Sequence, residues 1–236
     1  DVPIDREAET LADGRVDGAL ILRDEDDAIG AELAKQNFPC VRFFSRSNDH
    51  TPYVDADNEA GGKMATQHLL DLGHRRIVFV HGPVHSSSSN DRMAGYRKAL
   101  DQAGIKPRTE WELEIPSAIS DISALRELMQ TPDRPTALFV WSDDVALACM
   151  TMLHDLRLSV PKDVSVIGFD SLEVCDRSVP PLTSVRQPVF EMAQAATKQL
   201  VSLIRGEEIA DRQVLFPLQL DLRASTAPCP NPKISR

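Results

Sequence analysis

From residue 69 onward the apolar positions keep changing period: an amphipathic stretch ending at Gly or Pro, then four to six β-branched and apolar residues, then a polar turn. The first helix is predicted over residues 58–72, where Met64, Ala65, Leu69 and Leu72 share a face and Gly73 stands where a left-handed residue would end it. A strand over 77–80 follows. The next helix, 89–103, spaces Met93, Tyr96 and Leu100 three and four apart and stops at Gly104, ahead of a weak strand over 111–115. Then come a helix over 122–129, a strand over 136–141, a helix over 144–156 and, after Pro161, a strand over 164–169. A helix over 188–204 and an alternating strand over 213–222 close the set, and residues 227–236, with Pro228, Pro230 and Pro232, read as a loose tail. Ahead of residue 69 the same pattern is incomplete: helix 6–11, strand 18–22, helix 28–36 and strand 40–44.

Strands alternating with crossover helices give an α/β fold in which four strands run parallel in a doubly wound sheet covered on both faces. The segment before residue 69 holds too few strands for a complete lobe, so the sequence is expected to begin part-way through a longer parent chain. In a parallel sheet all strands end at one edge, and ligands bind outside those carboxyl ends. Here the ends are His81 and Gly82, Ser142 and Asp143, and Asp170. Arg92 stands one turn into the helix after a serine-rich loop over 86–89, within reach of the same edge. An Asp that accepts from vicinal hydroxyls and an Arg fork that donates to an oxygen pair suit a sugar or another polyol-like metabolite. Taken singly, each residue has a plainer role: Ser142 and Asp143 as helix caps, Asp170 as the start of a turn, Arg92 as a solvated helix residue.

Composition narrows the function classes. The 236 residues are 42% hydrophobic and 26% charged, as in a folded globular protein, and no apolar run reaches the roughly 20 residues of a bilayer span. With 36 acidic against 26 basic residues the net charge is −10, which repels nucleic acid, so the basic stretches at 73–76 and 97–98 read as solvated faces. Cys40, Cys149, Cys175 and Cys229 lack any Cys-x-x-Cys spacing and read as free thiols of a reducing cytoplasm. The loop over 81–90 has neither phosphate-binding glycine pattern, and no Gly-x-Ser-x-Gly, His-Glu-x-x-His or paired Cys and His is present. His68, His74 and His154 read as surface, helix-end and face residues. No catalytic residue, metal ligand or cofactor is expected, and the chain is not read as an enzyme.

Several phrases, in order, resemble the lactose-repressor/galactose-repressor (LacI/GalR) family of bacterial transcription regulators. They are Val16-Asp17-Gly18-Ala19, Asp57-Asn58-Glu59-Ala60-Gly61, Leu72-Gly73-His74-Arg75-Arg76-Ile77, Arg92-Met93-Ala94-Gly95-Tyr96, the run from Val160 through Asp170, and Pro181-Leu182-Thr183-Ser184-Val185-Arg186-Gln187-Pro188. The resemblance implies a periplasmic-binding-protein-like pair of doubly wound lobes, the amino-terminal one truncated, without a DNA-binding headpiece. Residues 1–56 would be the incomplete amino-terminal effector-binding lobe, 57–186 the carboxyl-terminal lobe, 187–226 the final helix and strands crossing between lobes, and 227–236 the tail. Position by position it implies that Arg92 and Asp170 hold the effector, that Ser142 lines the cleft, and that Ser88, Ser45 and Arg46 face it. It implies a small effector, a sugar or related metabolite, in the interlobe cleft. The partners it implies are a second copy of the chain, joined through 147–156 and 171–180, and operator DNA through the absent headpiece, with no membrane contact. A periplasmic sugar-binding protein of a transporter is the alternative, and a small-molecule hydrolase a third reading.

Overall fold

The structure, a computed structural model, describes residues 4–22, 29–46 and 50–230. Residue 28, the expected start of the second helix, and 231–236 of the expected tail lie outside them. In chain order the first elements are α1 (Ile4–Leu11), β1 (Ala19–Ile21), α2 (Ile29–Lys35), β2 (Cys40–Phe43), β3 (Tyr53–Ala56), α3 (Asn58–Asp71), β4 (Ile77–His81), α4 (Ser87–Gln102) and β5 (Glu112–Glu114). They continue with α5 (Ser123–Met129), β6 (Ala137–Val140), α6 (Asp143–Asp155), β7 (Ser165–Asp170), α7 (Val174–Arg177), β8 (Thr183–Arg186), α8 (Val189–Ile204), β9 (Gln213–Phe216) and β10 (Gln219–Asp221). The chain divides into two compact units. Unit 1 comprises Asp1–Asp57, His85–Ser88 and Pro188–Pro217, and unit 2 comprises Asn58–Val84, Ser89–Gln187 and Leu218–Arg236.

Unit 2 is built on a sheet of order β10-β8-β7-β6-β4-β5, parallel throughout except that β10 runs antiparallel to β8. Strands β4 and β6 are buried along their whole length and, but for His81 at the end of β4, apolar, as central parallel strands covered on both faces must be. Alternate residues serve opposite faces. On one, Phe79 stacks on Phe139 and on Tyr96 of α4, whose hydroxyl donates to the Ile77 carbonyl at 2.8 Å. On the other, Val78, Val80, Leu138 and Val140 pack with Leu125 and Met129 of α5 and Val145, Cys149 and Leu153 of α6.

Helices α3 and α4 meet backbone to backbone. A Cβ on Gly62 would strike the Arg92 carbonyl oxygen, and one on Gly95 would strike the Glu59 carbonyl oxygen, so only glycine fits at either place. This contact sets Asn58, the first residue of α3, beside Arg92 of α4. Both helices end as the sequence predicts: Gly73 and Gly104 adopt φ of 86° and 69°, each followed by the paired 6→1 and 5→2 backbone bonds of a left-handed helix stop.

Unit 1 carries a parallel sheet of order β1-β2-β3-β9. Ala8 of α1 and Ile29 and Leu33 of α2 pack with Ile21 and Cys40, while α8 lies against β1, β2 and β3.

The structure adds to the sequence reading and corrects it in places. Strand β3 was not expected, because the buried Asp55 breaks its apolar run. The single strand expected over 213–222 is two, β9 and β10, on either side of Pro217, and they join different units; proline has no N–H to offer a ladder. Residues 187–226 accordingly divide between the units. The tail is not loose as far as residue 230. Although Pro228 and Pro230 lack donors, the N–H groups of the residues before each of them bond, Ala227 to Ser165 Oγ at 3.0 Å and Cys229 to the Leu72 carbonyl at 2.8 Å.

Candidate functional site

Strands β7, β6 and β4 lie side by side, so their carboxyl ends bring Asp170, Ser142 and the His81-Gly82 pair to one edge of unit 2. Arg92 reaches the same edge from the second turn of α4, because that helix begins at Ser87, two residues before the expected start. Its position is not that of a solvated helix residue: it is 5% exposed. Nε donates to Asn58 Oδ1 at 2.9 Å, Nη1 donates to the Trp141 carbonyl oxygen, and the guanidinium carbon lies 3.6 Å from the centre of the Phe169 ring. A planar cation on an aromatic face, bonded at two positions, is oriented before any ligand arrives.

Asp170 ends β7 at φ 107° and Ser171 follows at φ 55°, two consecutive side-chain-bearing residues in the left-handed half of backbone space. Such a turn needs support, and Asp143 provides it. The first residue of α6, fully buried, accepts from Ser184 Oγ at 2.6 Å and from the Leu172 backbone N–H at 2.8 Å, while Ser184 Oγ accepts the Ser171 N–H at 3.1 Å. Gly168 is required beneath it, since a Cβ there would strike the Asp143 carboxylate. Neither cap reading holds in its simple form: Asp143 directs its carboxylate at the turn after β7, and Ser142, at the N-cap position of α6, makes no capping hydrogen bond.

The Asp170 carboxylate accepts from Gln187 Nε2 at 2.6 Å. Burial pushes its pKa up to about 6, against the pull of the Arg92 charge and the Gln187 hydrogen bond. Arg92 and Asp170 thus act on each other electrostatically at the edge where Ser142 also sits. Together they offer a fork of donors, a charged acceptor and a hydroxyl, which can hold a polyhydroxylated molecule.

The other three candidates belong to unit 1. Ser88 is in the first turn of α4, not in a loop, and donates to the Phe44 carbonyl at 3.1 Å. Ser45 is 2% exposed and its hydroxyl makes no hydrogen bond among the described residues. Arg46 places Nε 3.6 Å from Oδ2 of the buried Asp55, and its N–H donates to Ser87 Oγ at 3.4 Å. Among the described residues no group of three or more His, Cys, Asp or Glu is arranged to hold a metal ion, and no helix is long and apolar enough to cross a membrane.

A family model described as a periplasmic binding protein-like domain matches residues 66–226. The ribose operon repressor of Escherichia coli strain K12 is 34% identical over 227 residues, covering 92% of this chain and 68% of that protein. The chain belongs to the LacI/GalR family. The HTH-type transcriptional repressor PurR of Aliivibrio salmonicida strain LFI1238 is 33% identical over 201 residues. That match covers 84% of this chain but 60% of the relative, so the LacI/GalR core seen here spans less than two thirds of its length. Among solved structures, a complex of the transcriptional regulator CelR with cellobiose superposes with a TM-score of 0.87 at 34% identity, over 94% of this chain and 69% of that one.

Four residues at this LacI/GalR sheet edge escaped the sequence reading, and a fifth, Asp143, was placed at the edge without its part in the turn after β7. Phe169 looked like one more apolar strand residue. Asn58 and Gln187 stood inside quoted family phrases, but nothing in their spacing pointed at Arg92 or Asp170. Asp143 read as a cap, and Trp141 as a strand terminus.

Proposed function

We propose that the chain is the effector-sensing and dimerisation core of a LacI/GalR-type DNA-binding regulator, and that its effector is a small polyhydroxylated metabolite, a sugar or a close relative. The gathering of Arg92 and Asp170 at one carboxyl edge of unit 2 carries this reading. Arg92 donates to an oxygen pair, Asp170 accepts from hydroxyls, and Ser142 adds a third polar contact, with Ser88, Ser45 and Arg46 as further candidates in unit 1. The name of the ribose operon repressor and the cellobiose held by CelR support a sugar. The intact protein would read its operator through a headpiece elsewhere in the parent chain. An effector then acts by its differential affinity for two conformational states; about 100-fold between states corresponds to about 2.7 kcal/mol. The core has no catalytic role in this reading and works in the cytoplasm. A periplasmic transporter component is disfavoured because the matched relatives are transcription regulators.

A thermal-shift panel of D-ribose, D-glucose, cellobiose, sugar acids, nucleosides and inorganic phosphate tests it. A ligand that binds the native state alone adds about 2.7 kcal/mol when present at about 100 times its Kd. At least one polyhydroxylated compound is expected to raise the Tm, and to do so far less in Arg92→Lys, which keeps the charge but loses the fork. A panel without any such shift would overturn the reading.

A further inference from the structure

At the amino ends of β4 and β5 an open cavity of about 1210 Å³ lies between the start of β4, the last turn of α4 and the loop over 103–111. This is the opposite edge of the unit 2 sheet from the one that carries Asp170, removed from it by the length of β4, about 13 Å. Ile77, Leu100 and Trp111, all buried, supply apolar surface, and four cations line the cavity: Arg75, Arg76, Lys106 and Arg108. They differ from other cations of unit 2. Arg97, Lys98 and Arg223 each meet a carboxylate within 2.7 Å, whereas neutral groups position three of the four at the cavity. Arg75 Nη1 donates to the Leu70 and His74 carbonyls, each at 3.1 Å, and Arg76 Nε donates to the Arg134 carbonyl at 3.0 Å. Arg108 lies over the Trp111 ring, 4.6 Å from its centre. None of the four forms an ion pair among the described residues.

The local charge does not cancel. Against these cations stand Glu110, the sole carboxylate among the lining residues, and the carboxyl ends of α3 and α4, each equivalent to about half a negative charge. About two positive charges are left over, in a chain whose net charge is −10. A phosphate monoester carries close to two negative charges at pH 7 and presents three acceptor oxygens, which matches the surplus and the open donors of the guanidinium groups. A recess of this size admits a metabolite, while a nucleic acid meets the repulsion of the whole chain. We propose that the cavity is a second ligand site, separate from the effector edge, and that it takes a small phosphate-bearing metabolite. The basic stretch over 73–76 is then one wall of a binding site and not a solvated face.

The chain has two tryptophans, so Trp141→Phe leaves Trp111 as the sole indole emitter and its fluorescence reports on the cavity. That protein is titrated at about 0.15 M salt with D-ribose 5-phosphate, AMP and inorganic phosphate, and with D-ribose and adenosine as uncharged controls. At least one phosphate ester is expected to change Trp111 emission saturably, and its uncharged parent to leave that emission unchanged. The double variant Lys106→Gln/Arg108→Gln alters two exposed side chains that make no hydrogen bond among the described residues. It should keep the wild-type Tm and, by calorimetry, bind the ester about tenfold or more weakly. Arg92→Lys should bind the ester as the wild type does. Binding that Arg92→Lys weakens and the double variant keeps puts the phosphate at the effector edge and overturns the proposal. So does unchanged Trp111 emission with every phosphate compound up to millimolar concentration. A single-stranded oligonucleotide that binds more tightly than either ester overturns the metabolite assignment.

Discussion

Asp170 and Ser171 occupy backbone conformations that cost roughly 1–3 kcal/mol each for residues with a Cβ, and the buried Asp143, bonded to Ser184 and Leu172, holds the turn in place. Burial raises the Asp170 pKa to about 6, so its ionised fraction falls as the pH drops through that value. An effector that needs the carboxylate should bind about tenfold more weakly near pH 5 than on its plateau above about pH 7, and Asp170→Asn should abolish the slope. Calorimetric titration at several pH values checks this; a flat wild-type profile contradicts it. Arg92→Ala, by contrast, is a poor probe of binding alone. It removes the donor to Asn58 Oδ1 and to the Trp141 carbonyl and uncovers Phe169, so a stability loss of about 1–3 kcal/mol is expected alongside any binding defect. Arg92 and Asp170 were legible because chemistry marks them and strand ends locate them. Asp143, Gln187 and Asn58 were not, because their role is fixed by partners distant in the chain, such as Ser184 for Asp143 and Arg92 for Asn58.

Among the elements, the crossing of α3 and α4 is the most exacting. Gly95→Ala drives a methyl into the Glu59 carbonyl and is expected to cost about 2–3 kcal/mol, since neither helix backbone can move without shifting Arg92. Gly104→Ala meets nothing within 4 Å but keeps φ at 69°, so it should cost about 1 kcal/mol from backbone strain alone. Urea unfolding of the two variants separates these causes, and equal losses would contradict the packing argument. The helix stops at Gly73 and Gly104 were readable because they are local. The steric demand at Gly62 and Gly95 was not, because it belongs to a contact between two helices. Strands β4, β6 and β7 announced themselves by mostly apolar runs, whereas β8, with Thr183, Ser184 and Arg186, is a strand through its pairing with β7 and β10.

At the scale of the whole molecule, a net charge of −10 is consistent with a core that leaves DNA contact to another part of the parent chain. In unit 2, Val179 is 92% exposed, and Leu172 and Val174 are also open, within the segment proposed for dimerisation. The chain is expected to sediment as a dimer at tens of micromolar and Val179→Asp to shift it toward monomer; a wild-type monomer at that concentration contradicts the proposed interface. The α/β class was visible in the sequence because alternation of period is a property of neighbours. The partition of residues 187–226 between the units was hidden, because the chain passes from one to the other at Pro188 and Leu218 without any change of composition. The decisive measurement is calorimetry near pH 7.5 on wild type and Asp170→Asn, using whichever sugar gives the largest thermal shift. Loss of a charged acceptor from the grip should weaken binding about 30-fold or more. Equal affinity in the two proteins would place the effector away from the carboxyl edge of unit 2.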